Sequence, residues 1–423
     1  MVCVCTPRRS CPSCAPGDDG AAARFAAGGF DADEYGAAAG YPPGDRTTFF
    51  DSRALVGSFS HLDEIFPGRL VRKAAVPSRL VRVAEPALAW TSEGAERTVD
   101  AYLARTPTTG LLVARDDTIL VERYQYGRTD RDRLTSFSMA KTVTAMLVGI
   151  AIAEGAIRSI DDLAGAYVPE LAATEYGRTS LRHLLQMSSG VRFSEDSEGH
   201  GDFATLRANT YRLQGAGGPS ALIPFNQRHV PVGTRFSYSS AETQMLGLVL
   251  THAVGRPVAQ YLEEKIWEPM GAEADATWLI DNAGQEATFG GLNAVLRDWA
   301  RLALLLAHDG HWRGQQLIPA SWVLEATTVG DDQPHLKPGV ATPIFGYDYQ
   351  TWILPTTRRM FLLWGVRGQR IFVHPEYKLV MVNTSVQKTS HDLPALEEMA
   401  ALWFAAVRWF SVPWPRAVGG DQR

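Results

Sequence analysis

The sequence has little cysteine, and all of it lies near one end. Cys3, Cys5, Cys11 and Cys14 are the four cysteines among 423 residues. The rest of the chain has none, so disulfides cannot hold its fold together, whatever the redox state of the compartment. Their spacing would suit zinc or disulfides, but the segment continues into a Gly/Ala-rich stretch of a kind typical of disorder. We therefore predict a disordered tail over residues 1–46 and no metal site.

Long apolar runs and an excess of one charge are also absent. No stretch reaches the roughly 20 apolar residues that cross a bilayer, and the N-terminus lacks the layout of a secretory signal. The formal net charge is −5, so no strongly basic character points to nucleic acid or anionic lipid as a partner. We expect a soluble, cytoplasmic protein that binds neither nucleic acid nor membrane. The oligomeric state is left open by the sequence.

Two common hydrolase motifs are missing as well. There is no G-x-S-x-G, so the nucleophile turn of α/β-hydrolases is not indicated. There is no H-E-x-x-H either, and His308 and His311 are separated by only three positions in a predicted turn, which gives weak support for a metal site. We expect the chemistry to come from side chains alone, with no cofactor.

The predicted elements place strands at both ends of the body and helices between them. Two apolar runs around Arg115-Asp116-Asp117 predict a β-hairpin, and RMFLLWGV, RIFVHP and LVMVNTS predict three later strands. Residues 157–285 are mostly helix and loop, with a polar loop predicted at SEDSEGHGDFATL. This order indicates an α+β fold, a mainly antiparallel sheet flanked by helices with an inserted all-helical subdomain.

A lysine stands near the start of a long apolar run. In SFSMAKTVTAMLVGIAIAE (136–154), Lys141 is the only charged residue before Glu154, and its burial costs free energy unless it is paired or neutral. Ser138 precedes it by three residues and therefore shares its helix face. A neutral amine beside a hydroxyl can activate that hydroxyl as a nucleophile. An N-cap serine followed by a lysine that extends to solvent is the structural alternative.

The S-x-x-K spacing occurs twice, so spacing alone does not identify the nucleophile. Ser385 and Lys388 also match it, but they follow a strand and no apolar helix comes after them. Ser138 opens a helix, whose free N–H groups and positive potential favour an oxyanion. We therefore predict Ser138 as the nucleophile.

Two later segments offer groups that complement this pair. PVGTRFSYSSAETQMLG places Tyr238 before a helix, with Ser240 two residues further on. A phenol near the lysine can relay a proton to the leaving group, although a loop tyrosine is more often a packing residue. In FLLWGVRGQRIFVHP, Gly365 indicates close approach of another group to the strand. The neighbouring N–H of Val366 would complete an oxyanion hole with that of Ser138.

These segments, in this order, resemble the serine β-lactamase-like superfamily. That superfamily includes class C β-lactamases, penicillin-binding carboxypeptidases, and esterases and amidases related to 6-aminohexanoate-dimer hydrolase. The resemblance spans about residues 47–410 and includes LRHLLQMSSGV and FGGLNAVLRDWARLALLL. It implies a β-lactamase/transpeptidase-like fold in which Ser138 is the nucleophile, Lys141 its base partner and Tyr238 the proton relay.

The domain organisation follows from the fold and the position of Ser138. The predicted segments after the tail are 47–137, the lead-in and first part of the α/β subdomain; 138–285, the nucleophile helix and helical subdomain; 286–412, the second part with a closing helix; and 413–423, a tail.

Departures from the family pattern narrow the expected substrate. Ser240 stands where many relatives have asparagine and still offers a hydrogen bond to Lys141. Where lactamases have Lys-Thr-Gly, this chain has Leu363-Trp364-Gly365, so the cation that binds a substrate carboxylate is missing. Arg367 is close in sequence, but side chains alternate along a strand and its direction is open. We expect Ser240, Trp364, Gly365 and Arg367 to bind substrate or support the site.

An apolar pair at Leu363 and Trp364 cannot compensate a desolvated carboxylate but can pack against an uncharged group. We therefore predict a serine hydrolase closest to the 6-aminohexanoate-dimer hydrolase branch. It is expected to cleave small neutral esters, or small amides, through an acyl-enzyme on Ser138 with acid-base assistance from Lys141 and Tyr238. In the aminohexanoate-dimer branch a tyrosine follows the acidic pair Glu195-Asp196, and here Ser197 follows it. A β-lactamase or D-alanyl carboxypeptidase is the alternative activity, and an inactive binding protein on the same fold is the non-enzyme alternative.

Overall fold

The structure, a computed structural model, describes residues 22–92, 94–196 and 200–411. Its strands are β1 Arg24–Phe25, β2 Gly68–Val71, β3 Val81–Arg82, β4 Ala89–Ser92, β5 Ala95–Thr98, β6 Thr108–Arg115, β7 Thr118–Tyr124, β8 Leu134–Thr135, β9 Ala276–Leu279, β10 Leu292–Ala294, β11 His311–Trp312, β12 Gln315–Gln316, β13 Gly346–Asp348, β14 Thr351–Ile353, β15 Phe361–Trp364, β16 Arg370–His374 and β17 Leu379–Ser385. Its α-helices are α1 Leu55–Ser60, α2 Leu62–Ile65, α3 Val99–Leu103, α4 Ala140–Ala153, α5 Leu181–Leu185, α6 Gly201–Asn209, α7 Ser240–Val254, α8 Val258–Leu262, α9 Leu296–Ala307, α10 Ala320–Ala326 and α11 Leu393–Phe410.

A nine-stranded sheet forms the centre of the fold. Its order is β1-β7-β6-β17-β16-β15-β14-β13, with β3 also paired to β7. The two short strands β1 and β3 run parallel to β7, and the other pairs are antiparallel. This confirms the predicted fold class, an α+β fold with a mainly antiparallel sheet and flanking helices.

Both faces of this sheet are covered, because successive side chains along a strand point in opposite directions. On β6, Leu111 and Val113 belong to the core that contains Trp403 of α11. Leu112 and Ala114 belong to the core that contains residues of α4, α7 and α9. The sheet therefore lies between the closing helix and the helices that carry the candidate site.

A second, four-stranded sheet has the order β2-β9-β10-β8 and is antiparallel throughout. Strand β8 ends directly before the segment that contains Ser138. Strand β9 lies inside the range 138–285 predicted for the nucleophile helix and helical subdomain, so that range is not wholly helical. Its four residues are all buried, and a run this short carries no period that separates strand from loop.

Most of the predicted elements are confirmed. The hairpin is β6 and β7, the three later strands are β15, β16 and β17, and the closing helix is α11. The polar loop predicted at SEDSEGHGDFATL is wrong in its second half, since α6 begins at Gly201. None of the helices in the described residues is long and apolar enough to span a membrane.

The predicted disordered tail, 1–46, is wrong for residues 22–46. Strand β1 pairs with the edge of the main sheet, and Tyr35 and Tyr41 are buried, each with its ring edge-on to Tyr126. The aromatic residues in this Gly/Ala-rich stretch supply the apolar area that keeps it on the body. Residues 1–21, which include all four cysteines, lie outside the described residues.

Candidate active site

Ser138 lies on a short turn that is attached to the smaller sheet. β8 pairs with β10, and just beyond it the Ser136 N–H donates to the Leu292 carbonyl at 2.8 Å. Phe137 then adopts a left-handed conformation, with φ of 42°, which is uncommon for a residue other than glycine. A 3₁₀ turn over Phe137–Met139 leads into α4. The nucleophile candidate is thus held at the N-terminus of a buried helix.

Lys141 is the centre of the hydrogen-bond network. Its side chain is buried, with 1% exposure. Nζ lies 3.0 Å from Ser138 Oγ, 2.9 Å from Ser240 Oγ and 3.0 Å from the Phe289 carbonyl oxygen. The structure therefore brings Ser138, Lys141 and Ser240 together, although Ser240 is ninety-nine positions away from the lysine in sequence.

Glu195 fixes the direction of these hydrogen bonds. Ser240 Oγ donates to Glu195 Oε1 at 2.5 Å, and the Ser240 N–H donates to Oε2 at 2.8 Å. Because the single hydroxyl proton of Ser240 is used in this way, its oxygen can only accept from Lys141. The Phe289 carbonyl also can only accept. In a neutral Lys141 amine the two N–H groups donate to these two acceptors. The lone pair on Nζ can then accept a hydrogen bond from the Ser138 hydroxyl.

The pKa of Lys141 is lowered to about 8, chiefly by burial, while the Glu195 carboxylate acts in the opposite direction. Burial raises the pKa of Glu195, and this effect is opposed by Lys141 and by the hydrogen bonds from Ser240. Near neutral pH the amine therefore has a substantial neutral fraction, far more than a lysine in water. A neutral amine with a free lone pair is the state that can accept the Ser138 proton.

Tyr238 lies beside Lys141 and Ser138. Its ring centroid is 4.9 Å from Lys141 Nζ, and it stacks on Trp352 with a centroid separation of 5.4 Å. Burial raises the pKa of Tyr238, and a hydrogen bond with the Ser138 side chain acts in the opposite direction. The phenol is therefore protonated at neutral pH and is placed to exchange a proton with a group bound at Ser138.

Gly365 directly follows β15, at the start of the turn that leads to β16, and its backbone approaches the Ser138 turn closely. A methyl group added at Gly365 would lie 2.2 Å from the Ser136 carbonyl oxygen, so a residue with a side chain would push the strand and the turn apart. Val366 and Ser138 both line the same cavity. Ser138 is in the first turn of its helix, where backbone N–H groups have no partner within the helix. The oxyanion hole expected from the N–H groups of Ser138 and Val366 stays a prediction.

The residues around Gly365 divide between the core and the cavity. Leu363 is fully buried in the main core, and Trp364 lines the cavity. Arg370, the cross-strand partner of Trp364, lies beneath its ring with Cζ 4.0 Å from the centroid. Arg367 is at the cavity edge, where its guanidinium donates to the carbonyls of Gln387 and Lys388. The matching strand thus presents an aromatic surface beside Ser138.

The cavity has a volume of about 580 Å³ and largely apolar walls. This is within the range of pockets that hold small organic ligands. One wall comes from the segments of α6 and Phe289, and another from the loop before β13 together with β14 and β15. The side chains that line these two walls include Phe203, Arg207, Tyr211, Phe289, Ile344, Phe345, Trp352 and Trp364.

The second S-x-x-K pair has a structural role in this fold. Ser385 is buried and its hydroxyl donates to the Pro107 carbonyl at 2.8 Å. Lys388 pairs with Glu34 of the N-terminal segment. Neither residue lines the cavity beside Ser138. As for metals, His308 lies 3.3 Å from Asp116, and the described residues contain no group of three or more His, Cys, Asp or Glu side chains suited to an ion.

Two components of the site were missed from sequence. Glu195 is in a polar segment without hydrophobic periodicity, so its residue type alone did not distinguish it from solvated carboxylates. The acceptor at Phe289 is a backbone carbonyl. Every residue has one, so the sequence does not show which carbonyl bonds to Lys141. An acidic residue in a loop that precedes the Ser240 motif is the one available signal, and it needs the fold to become specific.

The chain is similar in sequence to known hydrolases. A 6-aminohexanoate-dimer hydrolase of Paenarthrobacter ureafaciens is 28% identical over 358 residues, which cover 83% of this chain and 89% of the relative. A beta-lactamase of Pseudomonas fluorescens is 24% identical over 191 residues, 42% of this chain and 48% of that protein.

Among solved structures, a Bacillus anthracis protein named as a candidate 6-aminohexanoate-dimer hydrolase superposes with a TM-score of 0.79 at 22% identity, covering 88% of this chain and all of that one. The family model described as Beta-lactamase matches residues 95–402. Because this match spans more than half of the chain, the protein belongs to the beta-lactamase family of serine hydrolases.

Proposed function

We propose that this protein hydrolyses small esters, or small amides, through an acyl-enzyme on Ser138. The observation that carries the proposal is the position of Lys141 Nζ, buried and 3.0 Å from Ser138 Oγ, with its other hydrogen-bond partners fixed as acceptors. A lysine kept only for structure would need no serine at this distance. A neutral amine directed at a serine hydroxyl is the arrangement that activates a nucleophile.

The proposed reaction begins with transfer of the Ser138 proton to Lys141. Ser138 Oγ then attacks the substrate carbonyl carbon, and the oxyanion accepts hydrogen bonds from the N–H groups of Ser138 and Val366. Tyr238 gives its proton to the leaving group and regains one from Lys141. Water then gives a proton to Lys141 as it attacks the acyl-enzyme, and this proton passes to Ser138 Oγ as the acid is released.

The substrate class follows from the walls of the cavity. Leu363, which matches the lysine of related lactamases, is buried in the core, while Trp364 and Trp352 give the cavity an aromatic surface on this side. Uncharged groups are therefore favoured there. The relative from Paenarthrobacter ureafaciens is named for an amide substrate, which keeps small amides within the proposal. In that branch a tyrosine follows the acidic pair, and here Ser197 does, which argues against the aminohexanoate dimer itself as the substrate. We therefore place esters ahead of β-lactams.

The test is hydrolysis of p-nitrophenyl butyrate by the wild type, Ser138→Ala and Ser385→Ala. Ser138→Ala should lose turnover and labelling by a fluorophosphonate. Ser385→Ala should keep both, because its hydroxyl donates to the Pro107 carbonyl and the residue does not line the cavity. Nitrocefin is assayed on the same preparations. Full activity in Ser138→Ala would contradict the assignment, and efficient nitrocefin turnover without esterase activity would indicate a β-lactamase instead.

A further inference from the structure

Arg207 is a buried cation that forms no ion pair in the described residues. It lies on α6 with 5% exposure, and its guanidinium carbon stands 4.8 Å above the ring of Phe203. Its Nε has no hydrogen-bond partner. A ring face attracts a cation but accepts none of the directed N–H bonds of the guanidinium. A buried guanidinium without acceptors is costly, so an acceptor is expected where it faces open space.

That open space is the cavity at Ser138. Arg207 lines it, on the wall formed by Phe203 and Phe289, whose ring centroids are 6.0 Å apart. The Phe289 carbonyl is bonded to Lys141, so Arg207 and the reacting centre border one continuous volume. The other arginine on the cavity, Arg367, already donates to two backbone carbonyls.

Resting on the proposed function, we propose that Arg207 binds a carboxylate at the far end of the substrate acyl chain. The preferred substrates are then half-esters or half-amides of linear dicarboxylic acids. A guanidinium binds a carboxylate through two parallel N–H bonds. Phe203 and Phe289, which line the same cavity as Arg207 and Ser138, offer apolar surface that suits the methylene chain of such an acid.

The acyl side is assigned from Tyr238. This phenol must reach the leaving group, and it stacks on Trp352, so the leaving group lies on the Trp352 side. The acyl chain then extends toward Phe289 and α6. The carboxylate of Glu195 also borders the cavity and attracts Arg207 through space, but both of its oxygens accept from Ser240. Arg207 forms no ion pair with it, so its N–H groups can donate to a substrate carboxylate. The protein cation that binds the substrate carboxylate is then on helix α6, and not on β15, the strand that carries Trp364.

The experiment compares mono-p-nitrophenyl adipate and suberate with p-nitrophenyl hexanoate and octanoate, which have the same chain lengths without the carboxylate. In the wild type, kcat/KM should favour the carboxylate esters. Arg207→Met should lower this preference by about 10- to 100-fold, the range expected for charge-assisted hydrogen bonds. Arg207→Lys should keep part of it, because the charge remains while the forked geometry is lost.

Arg212→Met is the matched control. Arg212 also lies over a phenylalanine, Phe49, at 5.1 Å, and its Nε also lacks a partner, but it does not line the cavity. It should keep the wild-type preference. Equal hydrolysis of both ester classes by the wild type, or equal losses in Arg207→Met and Arg212→Met, would overturn the proposal.

Adipate binding, measured by calorimetry, separates this proposal from the proposed reaction. The wild type should bind adipate and Arg207→Met should bind it at least about 10-fold more weakly, even in a Ser138→Ala background that cannot turn over. Absence of any esterase activity with retained Arg207-dependent adipate binding would reject the reaction but support the anion site. Esterase activity on hexanoate without adipate binding would reject the anion site alone.

Discussion

Replacing Glu195 by glutamine should move the pH dependence of hydrolysis toward acid. The carboxylate raises the pKa of Lys141 against the effect of burial. Its removal therefore lowers the lysine pKa further, and the neutral amine becomes available at lower pH. Glutamine also cannot accept from the Ser240 N–H with its NH₂ group. The rate on the plateau should fall as well, because Ser240 is then held less well.

The size of the shift follows from the geometry. Ser240 Oγ is 2.9 Å from Lys141 Nζ and 2.5 Å from Glu195 Oε1, so Nζ and Oε1 are at most about 5.4 Å apart. At an effective dielectric constant of about 20, such a pair interacts by about 3 kcal/mol, which corresponds to about 2 in pKa. Water in the open cavity weakens the interaction. We expect the rising limb to move from about pH 8 down by about 1 to 2 pH units.

The assay is kcat/KM for p-nitrophenyl butyrate between pH 5 and pH 10. Glu242→Gln is the matched control, since Glu242 is a buried carboxyl on the same helix as Ser240 and bonds to Ser189 at 2.5 Å. Burial raises the pKa of Glu242 well above its usual range. In Glu242→Gln the amide therefore replaces a neutral carboxyl group, and the rising limb of the pH profile should stay in place. A limb that is unmoved in Glu195→Gln, or that moves toward alkaline pH, would refute the role assigned to Glu195.

Two further substitutions test the relay and the strand contact. Tyr238→Phe should lower kcat by about 10² to 10⁴, the usual contribution of a proton-transfer group, with little change in Tm because stacking on Trp352 is kept; an unchanged kcat would remove Tyr238 from the mechanism. Gly365→Ala should lower the free energy of unfolding by about 1 to 3 kcal/mol, as overpacking does, and should lower kcat, because the added methyl meets the Ser136 carbonyl. Gly28→Ala is the control in thermal unfolding, since a methyl there would have nothing within 4 Å.

Patterns with a clear period were predictable from the sequence. The strands β15, β16 and β17 and the helix α4 follow from apolar runs whose length and spacing fit one kind of element. Ser138 and Lys141 were predicted as site residues because burying a single lysine in an apolar helix costs free energy unless the lysine is paired or neutral. These are local signals, and the local sequence contains them completely.

Other parts depend on contacts between distant segments. Residues 22–46 look disordered by composition, yet a few aromatic residues and pairing to β7 hold them on the body. Glu195 and Arg207 are ordinary charged residues until the fold buries them in one cavity. Charge alone in a sequence does not report burial, so both roles emerge only in three dimensions.

The pairing of β6 with β17 has a consequence for biosynthesis. Gly110 is paired with Thr384 in the register of these strands, so the centre of the main sheet joins residues from early and late parts of the chain. Pairing between such distant segments is slow, because a long loop must close first. Val366 reaches Ser138 only when this sheet is assembled. During synthesis α4, with the proposed nucleophile, is therefore made well before β17, so the proposed oxyanion hole and the hydrolysis that depends on it can form only after β17 has been made.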